Sequence, residues 1–208
     1  MWDFQSGDIG SLYTGSGQRK YLTGSERERF IAASHACSCR QDAAFGLMLA
    51  HTGVRISEAL ALIEGLVQRD GGFIAVRSLK KRGKIHFREI PAPPELFAAI
   101  DAMPHRGDAH ARLWRFGRTR AWELIKGLMA QADIAPGIHA TPKGLRHGYG
   151  LHAIRSGIPV TLLQRWMGHA RLETTSIYLQ AIGDEERAFA ARMWGESSAS
   201  CRSTSPFV

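Results

Sequence analysis

The sequence predicts a mostly α (α+β) fold, helical with a small antiparallel β-hairpin or sheet. Three observations carry that reading. The chain has 208 residues, which suits one domain of ordinary size. Through most of it the apolar residues recur every three or four positions. Only in FIAVRSL and KIHFREI do they alternate, with Gly83 in the basic connection and Pro91, Pro93 and Pro94 closing the second run.

The elements follow in order. Residues 1–19 are rich in Gly and Ser and read as a flexible leader. Thr23 or Ser25 can cap a first helix over ERERFIAAS, whose first turn carries Glu26 and Glu28. A second helix, about 41–51, stops at Gly53, a residue suited to the left-handed position past a helix end. A third runs over about 57–62. After the hairpin, ELFAAIDAM resumes helical spacing, and residues 119–132 make a further amphipathic helix. Residues 139–180 read as three short helices with turns at 157–159 and at Gly168. A last helix is expected over 184–194, and residues 196–208, polar throughout, read as a disordered tail. The ordered domain is therefore expected over 20–195.

Composition narrows the function. At 44% hydrophobic and 22% charged the chain is globular in type. No stretch approaches the roughly 20 apolar residues of a membrane span, and the first residues lack the layout of a signal peptide. Lys and Arg number 27 against 19 Asp and Glu, a net charge of +8 and a pI near 9.9. Such a balance points to a polyanionic partner, nucleic acid before anionic membrane. Cys37, Cys39 and Cys201 have no metal-ligand spacing and read as reduced thiols of a cytoplasmic protein. His147 and His152 are five apart, off a common helical face, and read as structural. No metal and no cofactor is expected. The P-loop, dinucleotide, zinc-protease and nucleophile-elbow motifs are absent.

Arg77, Lys80, Lys81, Arg82, Lys84 and Arg88 crowd the hairpin. A cationic ribbon can enter a DNA groove, and a sheet edge can carry the same charges simply to prevent edge pairing. The most informative text lies further on. Residues 141–180 contain Leu145-Arg146-His147, then Met167-Gly168-His169, then Thr174-Thr175-Ser176-Ile177-Tyr178. Upstream, HTGVRISEALAL carries Arg55 and Glu58. These four boxes, in this order, resemble the signature of the tyrosine recombinases, the site-specific integrases of phages, plasmids and transposons. The resemblance covers about residues 20–195, and the hairpin falls where that family carries a catalytic lysine.

The resemblance implies DNA cleavage and rejoining through a 3′-phosphotyrosyl intermediate, and the residue types suit it. Tyr178 supplies a phenol whose phosphate ester would conserve the bond energy. Arg55 and Arg146 would clamp the non-bridging oxygens, and His169 would hydrogen-bond the phosphate. Lys80, or Lys81 beside it, would protonate the leaving 5′ oxygen, and Glu58 would support Arg55 or the backbone. Lys143 stands three residues before Arg146, where the family most often has His. It can still donate to a phosphate but is no neutral base near pH 7. The implied partners are double-stranded DNA, further copies of the chain as a tetramer on DNA, and an accessory protein; no membrane is implied. Family members commonly carry an N-terminal helical domain, and its absence from these residues predicts weaker solo binding and marked salt dependence. Two other classes fit less well: a catalytically silent DNA-binding regulator of recombination, and a topoisomerase IB-like enzyme that nicks and religates. Helix 184–194 could dock on a neighbouring protomer or fold back on its own core.

Overall fold

The computed structural model of the chain describes residues 11–78, 86–104 and 108–179. The first ten residues, Lys80 and Lys81, the helix expected over 184–194, and the tail lie outside the described residues. Within them the order is α1 (Gly24–Ala36), α2 (Arg40–Thr52), α3 (Ile56–Leu60), β1 (Val67–Gln68), β2 (Phe73–Ser78), β3 (His86–Pro91), α4 (Pro94–Asp101), α5 (Arg118–Gln131), α6 (Pro142–Arg155), α7 (Val160–Met167) and α8 (Glu173–Ser176). The expected mostly helical architecture with a small antiparallel sheet is what forms.

Local chemistry sets the helix ends. The Thr23 hydroxyl accepts from the Glu26 N–H while the Glu26 carboxylate accepts from the Thr23 N–H, a reciprocal cap that starts α1. Gly53, at φ 60°, closes α2 in the left-handed region. Between these ends α2 is buried almost all round, from Ala44 to Ala50, as a helix must be when its sequence, AAFGLMLA, offers no polar face. It packs against α1, α4, α5, α6 and α3. Burial of Phe45, Leu47, Met48 and Leu49 stabilises the fold by about 2 kcal/mol each.

The sheet has three strands, not two, in the order β1-β2-β3, all antiparallel. β1 is only two residues long and pairs Val67 with Ile74. The β2–β3 register sets Ile74 opposite Ile90 and Val76 opposite Arg88. Cross-strand partners share a face, so Arg88 follows Ile74, Val76 and Ile90 into the core. It is 8% exposed, and Phe87 beside it is 57% exposed. Arg88 is therefore set apart from the hairpin cations with which the sequence grouped it, whether those serve a DNA groove or a solvated edge.

α3 is too short to hold itself. The indole N–H of Trp114 donates to the Ala59 carbonyl at 2.7 Å, and Trp114 stacks edge-on against Phe45 in α2. Thus the large core fixes the short helix whose first turn carries Glu58. A second, smaller core joins α6, α7 and α8 through Tyr149, Leu151, Ile154, Leu163, Met167, Ile177 and Tyr178. Leu12 is buried in it as well. Residues 11–19, read as leader, include a bridge between Tyr13 and Arg19, and Arg19 pairs with Glu26 of α1.

Candidate active site

Two helices end on left-handed glycines, α2 at Gly53 (φ 60°) and α7 at Gly168 (φ 64°). Their terminal carbonyls are directed to one side chain. Arg146 donates from Nη1 to the Gly53 carbonyl and from Nη2 to the Met167 carbonyl, both at 2.6 Å. Helix C-termini carry partial negative charge, so they are natural anchors for a guanidinium. Arg146 is 8% exposed. Burial, with Arg55 nearby, brings its pKa down to about 10, which leaves it a cation at neutral pH.

Around Arg146 four of the predicted residues assemble. His169 follows Gly168, and its Nε2 lies 3.0 Å from Arg146 Nη2. Its Nδ1 lies 2.9 Å from the hydroxyl of the fully buried Thr175. Arg55, a third exposed, pairs with Glu58 at 3.0 Å. The Glu58 carboxylate also accepts the Arg55 backbone N–H at 2.9 Å and Arg88 Nη2 at 2.6 Å. Burial would push Glu58 up, but hydrogen bonds from Arg88 and the charges around it hold the carboxyl below its ordinary value. Arg88 also donates from Nε to the Trp166 carbonyl at 2.7 Å. Two guanidiniums therefore hold one carboxylate, with Arg146 near enough to feel its charge, and the group of four carries excess positive charge suited to a phosphate.

Tyr178 is 1% exposed. Its ring lies over Gly150 of α6, where a Cβ would stand 2.6 Å from the ring. Its hydroxyl is 3.0 Å from Nδ1 of His147. Burial pushes the phenol up to about 12, and Arg146 and Arg55 pull against that shift. His147 is lowered to about 4 by burial, with the charges of Lys143, Arg146 and Lys20 adding to it.

The structure thus brings Arg55, Glu58, Arg146, His169 and Tyr178 together. Lys143 is exposed in the first turn of α6. Lys80 lies outside the described residues. Sequence reasoning missed three participants. Arg88 was legible from the hairpin register, once Ile74 and Val76 were taken as the inward face. Thr175 sits inside the Thr-Thr-x-x-Tyr box, but its partner His169 is visible only in three dimensions. His147 was read as structural, yet it touches Tyr178. Among the described residues no group of three or more His, Cys, Asp or Glu is placed to hold a metal, and no helix is long and apolar enough to cross a membrane.

Known proteins resemble this chain in sequence and in fold. The family model described as "Phage integrase family" matches residues 20–183. Tyrosine recombinase XerA of Pyrococcus furiosus is 32% identical over 169 residues, covering 76% of this chain and 56% of that protein. Tyrosine recombinase XerD of Neisseria meningitidis serogroup B is 32% identical over 154 residues, covering 67% of this chain and 50% of that protein. The chain thus spans about half the length of the curated relatives it matches. The crystal structure of XerA recombinase superposes with a TM-score of 0.66 at 26% identity, over 84% of this chain and 64% of that one. The catalytic domain of bacteriophage HP1 integrase shares the fold with a TM-score of 0.61 at 21% identity, over 82% of this chain and 95% of that one.

Proposed function

Because the chain belongs to the phage integrase family, we propose that it is a site-specific tyrosine recombinase that cuts and rejoins duplex DNA through a 3′-phosphotyrosyl intermediate on Tyr178. The observation that carries this reading is the convergence of Arg146 with His169, and of Arg146 with Arg55 and Tyr178, across 123 residues of sequence. Side chains that merely covered a core would not draw cations around a phenol.

In this reading the scissile phosphate sits against Arg55 and Arg146, whose charges gain most as negative charge builds on the non-bridging oxygens. His169, oriented by Thr175, hydrogen-bonds the same phosphate. Tyr178 attacks in line, the P–O5′ bond breaks, and Lys80, or Lys81 beside it in sequence, protonates the leaving oxygen. Lys143, exposed beside the clamp, donates to a phosphate. Glu58 holds Arg55 at its backbone and side chain. The tyrosyl ester conserves the energy of the broken bond, so no ATP or metal enters the scheme. The assembly it implies is a tetramer on DNA, with an accessory protein where solo binding is weak.

One observation favours a second reading, a DNA-binding regulator that never cuts: the phenol is almost wholly covered. Supercoiled plasmid carrying the gene's own flanks, denatured with SDS after incubation, separates the two. The recombinase forms a protease-sensitive DNA adduct that Tyr178→Phe abolishes while binding stays within a few-fold, and EDTA leaves it unchanged. Retention of DNA with no adduct from the unaltered protein would favour the regulator.

A further inference from the structure

We propose that His147 is the proton acceptor for Tyr178, taking the phenolic proton at Nδ1 as the tyrosyl oxygen bonds to phosphorus. The inference rests on the phosphotyrosyl reading above and assigns a step that reading leaves open. Tyr178 must lose a proton to attack. Lys143, one turn before Arg146, is exposed to solvent. His169 has both ring nitrogens beside other groups, Arg146 and Thr175. His147 is the side chain whose ring nitrogen meets the phenol, at 3.0 Å.

The surroundings suit the step. His147 is half-buried on α6 and faces Lys143 and Arg146 of its own helix, Lys20 from the segment before α1, and the Tyr178 phenol. Those cations and the burial keep the imidazole neutral, so one nitrogen has a lone pair to offer. A base of pKa about 4 does not remove a proton from a resting phenol at about 12. It does so as the O–P bond forms, because the phenolic proton becomes strongly acidic once the oxygen is an ester. A phosphate entering beside Arg146 also raises the imidazole toward its ordinary value, since an anion favours the protonated ring. The balance is complete. The Tyr178 proton passes to Nδ1, the tyrosyl oxygen bonds to phosphorus, and the electron pair of the broken P–O5′ bond leaves on the 5′ oxygen with a proton from the lysine. On rejoining, the 5′ hydroxyl attacks and the imidazolium returns its proton to the departing phenolate.

Two measurements test this. The first needs no DNA: ¹⁵N spectra of imidazole-labelled protein at pH 7 should show His147 neutral, with Nδ1 bare and Nε2 protonated, and Tyr178→Phe should shift the Nδ1 signal. A proton on Nδ1 would mean that His147 donates to the phenol oxygen, and the proposal fails. The second follows adduct formation on the flanking-sequence plasmid between pH 5 and 8.5. His147→Ala should lose about 100-fold or more in rate, with DNA retention and circular dichroism unchanged. The rise of rate with pH should vanish with it, and added imidazole should restore part of the rate, which a packing role would not allow. His152→Ala, on the same helix, should behave as the unaltered protein. An adduct formed by His147→Ala at the unaltered rate overturns the inference and leaves the phosphotyrosyl reading standing. No adduct from the unaltered protein overturns both.

Discussion

Arg88 and Phe87 exchange the places their chemistry suggests, the cation inward and the ring outward. The exchange follows from pairing: Ile74 and Val76 of β2 face the core, and antiparallel register carries Ile90 and Arg88 with them. What makes it tolerable is Glu58, 3% exposed, which accepts two hydrogen bonds from the guanidinium. Removing one partner of such a pair leaves a buried charge, at a cost of about 3–5 kcal/mol. Arg88→Met should therefore lower unfolding stability by about that amount in urea titrations; a loss below about 1 kcal/mol would show that Arg55 alone satisfies Glu58. At this scale the sequence was most legible for the residues that resemble a known signature, Arg55, Arg146, His169 and Tyr178. It was least legible for partners whose role depends on what lies opposite in space. Arg88 meets Glu58 thirty residues away, and Thr175 meets His169 across a turn.

Helices were legible by their ends. Thr23 with Glu26, Gly53 and Gly168 each mark a terminus that forms. β1 was not, because two residues carry no periodicity. Glycines inside α6 had no evident reason in the sequence either, since glycine weakens a helix by about 1 kcal/mol relative to alanine. Gly150 has its reason in the Tyr178 ring, 2.6 Å from where a Cβ would stand. Gly150→Ala should thus destabilise by about 1–3 kcal/mol despite the gain in propensity, and the quench of Tyr178 fluorescence should change with it. A more stable variant with an unmoved ring would contradict this packing. Gly168→Ala meets two obstacles, a left-handed φ of 64° and the Arg88 guanidinium carbon at 3.0 Å. It should cost about 1–2 kcal/mol of backbone strain. It should also displace His169, seen as a changed His169 imidazole shift in NMR spectra.

For the whole molecule, acid is the informative variable. Burial holds His51 and His147 at about 4, in His51 against the pull of Glu95. An unfolded chain titrates these rings near 6.5, so it binds protons that the fold refuses. Their contribution is complete above pH 6.5 and is lost as pH falls toward 4. Burial would raise Glu26, yet Arg19 and the Thr23 N–H outweigh it and bring it to about 2. That contribution is present above about 4.5 and is lost as pH falls toward 2. Urea midpoints should therefore decline in two stages, and His147→Gln should flatten the upper one. An unchanged midpoint between pH 7.5 and 4.5 would refute the buried neutral imidazoles. The fold class and the four boxes were readable at this scale. That two helix C-termini meet on one guanidinium was not, because periodicity describes each element by itself.

That meeting has a consequence for the chain while it is being made. Gly53 is synthesised before the arginine it anchors, which comes 93 residues later, and Tyr178 follows Arg55 by 123. At about 5–20 residues per second, roughly 6–25 s separate the synthesis of Arg55 from that of Tyr178. On the recombinase reading proposed above, a nascent chain in that interval carries Arg55 and part of its basic surface but no assembled site with which to break a strand. On that reading, the order of synthesis itself keeps an unfinished copy harmless to the DNA it would meet.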